Sequence, residues 1–215
     1  MCTNADGRLG EMTDHADRGY IAPATQDDVP ELAALARDQL PSMTGLHTKK
    51  SWRDFNRFGS GQQVRGNCTM LLRDGDENGP LIGFIWADDA MRIDYDIVEP
   101  WWCVNALAIA PQYTREGRGA ALVAEVVAAA KLAGVVQLYG QTVPAAVPFW
   151  KHLGFTIAGH GEALRTYNQA RHATGAPIGI NAEPGPDDRW FVRYLTDAPG
   201  SVNSLLFPAS LLPAD

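Results

Sequence analysis

Hydrophobic residues cluster along this chain in a regular order that predicts its elements. Tyr20-Ile21-Ala22-Pro23 is a short apolar strand ended by proline. Val29, Leu32, Leu35, Ala36 and Leu40 recur every three to four residues, the spacing of a helix with one buried face. Thr25 or Asp27 caps its start, Pro30 fits its first turn and Pro41 stops it. Ser51 to Phe58 predicts a second, shorter helix with Trp52, Phe55 and Phe58 on one face.

Cys68–Arg73 and Leu81–Ala87 are apolar, β-favouring runs joined by Asp74-Gly75-Asp76-Glu77-Asn78-Gly79-Pro80, a hairpin loop by composition. Their alternation is weak, as in a sheet covered on both faces. After an acidic stretch at 88–100, the run from Trp102 to Ile109 is a further strand. It turns through Ala110 to Thr114 into Arg115-Glu116-Gly117-Arg118-Gly119. An alanine- and valine-rich helix follows, Arg118 to Leu132, with Gly134 at its C-terminal end. Val135–Thr142 is a strand, Pro144–Leu153 a short helix, Phe155–Ala158 a strand and Trp190–Leu195 a last one. The segment 161–188 is polar and rich in Gly, Pro and Asn, with one helix expected near Glu162–His172.

The order is β α α β β β α β α β β: antiparallel hairpins, then a βαβ crossover. It predicts an α/β (α+β) protein with one mixed sheet flanked by helices. The expected organisation is a tail over 1–18 without periodicity, a domain over 19–196 with 161–188 inserted before the last strand, and a C-terminal tail over 197–215. Leu205, Leu206, Phe207, Leu211 and Leu212 make that tail too apolar to be free. It is expected to dock on the body or on a partner subunit, as in a homodimer.

Composition narrows the function classes. With 215 residues, 46% hydrophobic and 20% charged, the chain is an ordinary globular protein of one well-buried domain. A formal charge of −7 argues against a general nucleic-acid binder. Three separated cysteines, Cys2, Cys68 and Cys103, make no disulfide framework and suit a reducing cytoplasm. The histidines show no metal-ligand spacing, no apolar run reaches membrane-spanning length and the polar N-terminus is no signal peptide. The expectations are therefore no metal, no membrane and no nucleic acid.

The chemistry concentrates at the start of the central helix. An N-terminal first turn offers unpaired N–H groups and the positive end of the helix dipole, which suit a phosphate. Gly117 and Gly119 let backbone approach a ligand with no Cβ in the way. No GK[ST] follows, which excludes an NTPase loop. A dinucleotide fingerprint is also excluded, since the third glycine is absent at its spacing.

The run ALAIAPQYTREGRGAAL instead resembles the acyl-CoA-binding motif of the GNAT acetyltransferase superfamily. There a strand and a short turn lead into an [Arg/Gln]-x-x-Gly-x-[Gly/Ala] loop that opens a helix. Gly117 and Gly119 fall on the two glycine positions, and Thr114 stands where Arg or Gln is usual. PAAVPFWKHLGF resembles the family's later helix, with Trp150 replacing a tyrosine that often serves as general acid. YIAPATQDDVPELAALA resembles its opening strand and helix.

The resemblance implies acetyl transfer from acetyl-CoA to an amine by direct attack in a ternary complex. Gly117, Arg118, Gly119 and Ala120 would hold the pyrophosphate by their amides, beside Thr114 and Glu116, with Arg115 and Arg118 adding charge. The pantetheine arm would run along Leu107, Ala108 and Ile109, between the strands 104–109 and 135–142, with Thr142, Phe149 and Trp150 beside it. Glu99 and Asp96 rank as candidates for the base, and Asn105 could hold a water. A small-molecule amine is favoured as acceptor over a protein lysine or N-terminus. The alternative is a non-catalytic acyl-CoA-binding module.

Overall fold

A computed structural model describes residues 19–48, 52, 67–88, 101–166, 179–180, 187–196 and 205–211. Strand β1 (Tyr20–Pro23) leads through a 3-10 turn into helix α1 (Val29–Gln39). The Asp28 carboxylate fixes that turn by accepting both the backbone N–H and the hydroxyl of Thr25, each at 2.7 Å. Then come β2 (Asn67–Arg73), β3 (Leu81–Asp88), β4 (Trp101–Ile109), α2 (Arg118–Leu132) and β5 (Gln137–Thr142). Helix α3 (Val147–His152) follows, then β6 (Thr156–Ile157), β7 (Leu164–Thr166), β8 (Gly179–Ile180), β9 (Arg189–Tyr194) and β10 (Leu206–Pro208).

One sheet has the strand order β1-β2-β3-β4-β5-β9-β6, and a small one the order β10-β7-β8. The described ladders are antiparallel except β4 with β5, the pair that α2 connects. This is the mixed, mostly antiparallel sheet with flanking helices that the hydrophobic pattern predicts.

The chain forms two compact units, and β4 contributes half of itself to each. The first unit comprises Met1–Asp89 and Asn105–Leu132. Within it α1 packs on β3, while α2 packs on β2 and β3. This two-sided cover explains the weak alternation of the hairpin strands. Leu32, Ala36, Trp52, Phe84, Ala106 and Ala108 share one core cluster. Each large apolar side chain so buried stabilises the fold by about 1.5–3 kcal/mol.

The second unit comprises Ala90–Val104 and Ala133–Asp215. Its core holds Trp101, Cys103, Tyr139, Trp190 and Val192, closed by Leu164 and Leu206. Gln137, wholly buried, fastens the C-terminal segment. Its amide donates to Leu206 O at 2.6 Å, and its carbonyl accepts the Leu206 N–H at 2.8 Å. Both needs of a buried amide are thereby met.

Two expectations change here. The helix expected near Glu162–His172 is replaced over Leu164–Thr166 by β7, which pairs with β10 and β8; the remainder, 167–172, lies outside the described residues. Pro208, the β10 partner of Leu164, lies 44 residues away, so local composition could not reveal that pairing. The second helix expected over Ser51–Phe58 lies outside the described residues, except for Trp52. That indole donates to Leu46 O at 2.7 Å and meets Phe84 edge to face.

Candidate functional site

The loop after β4 is set by backbone geometry. Ala110 donates to Ile82 O at 2.7 Å, holding the end of β4 to β3. Pro111–Tyr113 makes one 3-10 turn, and the Thr114 hydroxyl donates to Pro111 O at 2.8 Å. Arg115 and Gly117 then take the left-handed conformation, with φ of 68° and 77°. For Arg115 this costs about 1 kcal/mol, which the surrounding turn must hold in place.

Helix α2 starts at Arg118, and Ala121 donates to Gly117 O at 3.0 Å. The N–H groups of Arg118, Gly119 and Ala120 precede that bond and form the open first turn of a fifteen-residue helix. A Cβ on Gly117 would meet nothing within 4 Å, so open space lies over the loop. These donors and the helix dipole suit a pyrophosphate, one of the anionic parts of coenzyme A. Arg115 and Glu116 are exposed beside them.

Arg118 has a different place from the one its sequence position suggests. Its guanidinium lies 3.3 Å from Asp74 and 2.9 Å from Glu116, over the Tyr113 ring at 4.7 Å. The Tyr113 hydroxyl donates to the other oxygen of Asp74 at 2.9 Å. That bond, then burial, holds the Tyr113 phenol above its ordinary pKa.

Along the first unit's half of β4, Ala106 and Ala108 are buried in the core, while Asn105, Leu107 and Ile109 are half-buried on the alternate positions. The ladder with β5 ends at Val104 opposite Gly140. Asn105 Nδ2 donates to Asp88 Oδ1 at 2.9 Å. Asp88, the last residue of β3, is only 5% exposed. The sequence reading passed over it as one of an acidic run. Its signal was present: Phe84, Trp86 and Asp88 alternate, which puts a carboxylate on an aromatic face. Glu99 and Asp96, the ranked candidates for a base, lie outside the described residues.

In the second unit, Thr142 ends β5 and is buried, its hydroxyl donating to Val143 O at 3.3 Å. Phe149 and Trp150 are adjacent on α3, rings 5.1 Å apart. Trp150 is buried and stacks on Phe191 at 4.1 Å. Trp101 and Trp102 are both buried, so neither is an open pocket wall. Tyr139 is 1% exposed and belongs to the core. Among the described residues there is no group of three metal-ligating side chains, and no helix is long and apolar enough to cross a membrane.

Known proteins share this fold. The model of the acetyltransferase (GNAT) family matches residues 31–155. No curated protein matches the chain significantly. Among solved structures, an aminoglycoside 6'-N-acetyltransferase complexed with coenzyme A superposes with a TM-score of 0.55 at 15% identity, covering 83% of this chain and 98% of that one. Ribosomal-protein-alanine N-acetyltransferase from Brucella melitensis gives 0.54 at 17% identity, covering 81% and 98%. Ard1 from Thermoplasma volcanium gives 0.52 at 15%, covering 84% and 99%. At such identities the likeness shows a shared fold.

Proposed function

The chain belongs to the GNAT acetyltransferase family, and from that premise we propose that it transfers an acetyl group from acetyl-CoA to a primary amine. The observation that carries this reading is the left-handed turn at Arg115 and Gly117 opening α2 directly after β4. Acetyl-CoA supplies the activated acyl group as a thioester.

The chain's residues have these roles in the proposal. The N–H groups of Arg118, Gly119 and Ala120 hold the pyrophosphate, with Arg115 exposed to add charge. The backbone of β4 from Ile109 back to Asn105 orients the pantetheine arm as an added strand would. A β4 amide polarises the thioester carbonyl. Asp88, oriented by Asn105, accepts the proton released as the amine nitrogen bonds to the acyl carbon and the C–S bond breaks. The departing thiolate takes its proton from water, since Trp150 occupies the position of the family's tyrosine. A free thiol has a pKa of about 8.5, so a dedicated acid adds little.

A small cationic amine is the favoured acceptor, because the Asp88 carboxylate shares a strand face with the half-buried Trp86 and so offers charge beside an aromatic ring. The packing of Trp150 into the core supports a second reading, a protein that binds acyl-CoA without turnover. Incubation with acetyl-CoA and a panel of amines separates the two. Amine-dependent thiol release supports transfer, whereas donor binding with no release on any amine supports the second reading.

A further inference from the structure

Asp74 and Arg73 are neighbours at the end of β2, and they hold different partners within the first unit. Arg73 Nη2 pairs with Asp28 at 2.7 Å, while its Nη1 reaches Glu31 at 2.8 Å and Gly79 O at 3.0 Å. This ties the β2–β3 hairpin to the start of α1. Asp74 takes the Tyr113 hydroxyl on one carboxylate oxygen and Arg118 on the other. Tyr113 closes the 3-10 turn before the phosphate-binding loop, and Arg118 is the first residue of α2 after it. One carboxylate thus grips both ends of the segment carrying Arg115 and Gly117.

The hairpin tip is itself fixed. Asp74 N–H donates to Pro80 O at 3.0 Å, and Asn78 N–H to Asp76 Oδ1 at 2.8 Å. A Cβ on Gly79 would overlap Asp74 O, so glycine is required where the chain closes behind the carboxylate. Arg118 is only 11% exposed in its side chain, and its charge is shared between Asp74 and Glu116.

We propose that Asp74 is a positioning residue for the donor loop, clamping Tyr113 and Arg118 so that the amides of Arg118, Gly119 and Ala120 keep the shape a pyrophosphate needs. The Arg118 guanidinium then serves through loop shape and not as a phosphate ligand, while its backbone N–H stays one of the donors. The clamp deepens the reading of the chain as an acyl-CoA-dependent enzyme, although the contacts exist without donor. It acts on donor affinity: the amides contact the part of coenzyme A far from the reacting carbon, so the bond-making step is unaffected.

The test uses the full chain, the Asp74→Asn and Tyr113→Phe variants and their double variant. Acetyl-CoA affinity, KM, kcat and amide hydrogen exchange are measured together. Asp74→Asn should weaken acetyl-CoA binding and raise its KM about tenfold, the size of one charged hydrogen bond, with kcat at saturating donor unchanged. Tyr113→Phe should do the same to a smaller degree, and the two effects should not add. Exchange of the amides at 115–121 should quicken in both variants with the rest of the chain unchanged.

Unchanged or tighter donor binding by Asp74→Asn would overturn the proposal; tighter binding would mean that Arg118, once released, grips phosphate directly. Unchanged exchange at 115–121 would also overturn it. A wild-type protein that binds no acyl-CoA would instead remove the functional reading, while the exchange comparison still decides the clamp.

Discussion

Trp150 and Phe191 stack nearly parallel, ring centroids 4.1 Å apart and planes 19° from each other. Phe155 closes edge-on against both, 5.0 Å from Trp150 and 5.2 Å from Phe191. Trp150 is therefore part of a packed aromatic group. Trp150→Ala is expected to destabilise the protein by about 3–5 kcal/mol, and Trp150→Phe by much less. Urea unfolding of both variants checks this.

Asp88→Asn keeps the size of the side chain and its place beside Asn105, but removes its capacity to take a proton. The expected result is a fall in kcat of about a hundredfold or more. KM for acetyl-CoA should hold, because Asp88 is held at Asn105 in the middle of β4, while the donor loop begins beyond Ile109 at its end. Turnover of both proteins at saturating donor and amine reads this directly. An unchanged kcat in Asp88→Asn would place the base elsewhere, with Glu99 and Asp96 the next candidates.

Glycine substitutions separate conformation from crowding. Gly117 has φ of 77° and open space over it, so Gly117→Ala should strain the loop by about 1 kcal/mol and weaken donor binding with little loss of global stability. At Gly140 an added Cβ would lie 2.6 Å from both the Phe191 ring and Val104 O. Gly140→Ala should lower the unfolding midpoint far more, because backbone cannot yield as a flexible side chain can. Thermal melts and donor titrations of the two variants should show opposite orders of severity.

Acid should weaken the fold through two carboxylates. Burial alone would raise Asp28, but its bonds from Thr25 and its pairing with Arg73 outweigh burial and hold it below its ordinary 3.8. Glu162 is likewise opposed by burial and lowered below 4.5 by accepting from Ser210 and Gly159. Depressed folded-state values mean that both stabilise above those ordinary values and lose that contribution as pH falls through the folded ones. Asp28→Asn should thus be less stable than wild type at neutral pH, and the gap should close at an acid pH below the folded-state value of Asp28. Urea midpoints at the two pH values measure the difference.

Much of this was legible along the chain because it is local. The periodicity of Val29 to Ala36, the hairpin chemistry of Asp74 to Pro80 and the glycine-opened helix at Arg118 are decided by residues close in sequence. What was not legible depends on distant partners. β7 exists because Leu164 meets Pro208, and the C-terminal segment is held by Gln137, 69 residues from Leu206. Arg118 looked free to meet a phosphate, since nothing in its neighbourhood announces Asp74, 44 residues earlier. Asp88 was hidden for a related reason. At the head of an acidic run it reads as a solvated charge, and only the fold shows it buried against Asn105.

The central claim is acyl transfer from acetyl-CoA to an amine, and one measurement tests it most directly: release of free thiol from acetyl-CoA by the full chain as amines are added singly. The account predicts release that saturates in both donor and amine, with one acetylated amine formed per thiol. Failure of the chain to bind any acyl-CoA by calorimetry, with no thiol released above the rate without protein, would contradict it.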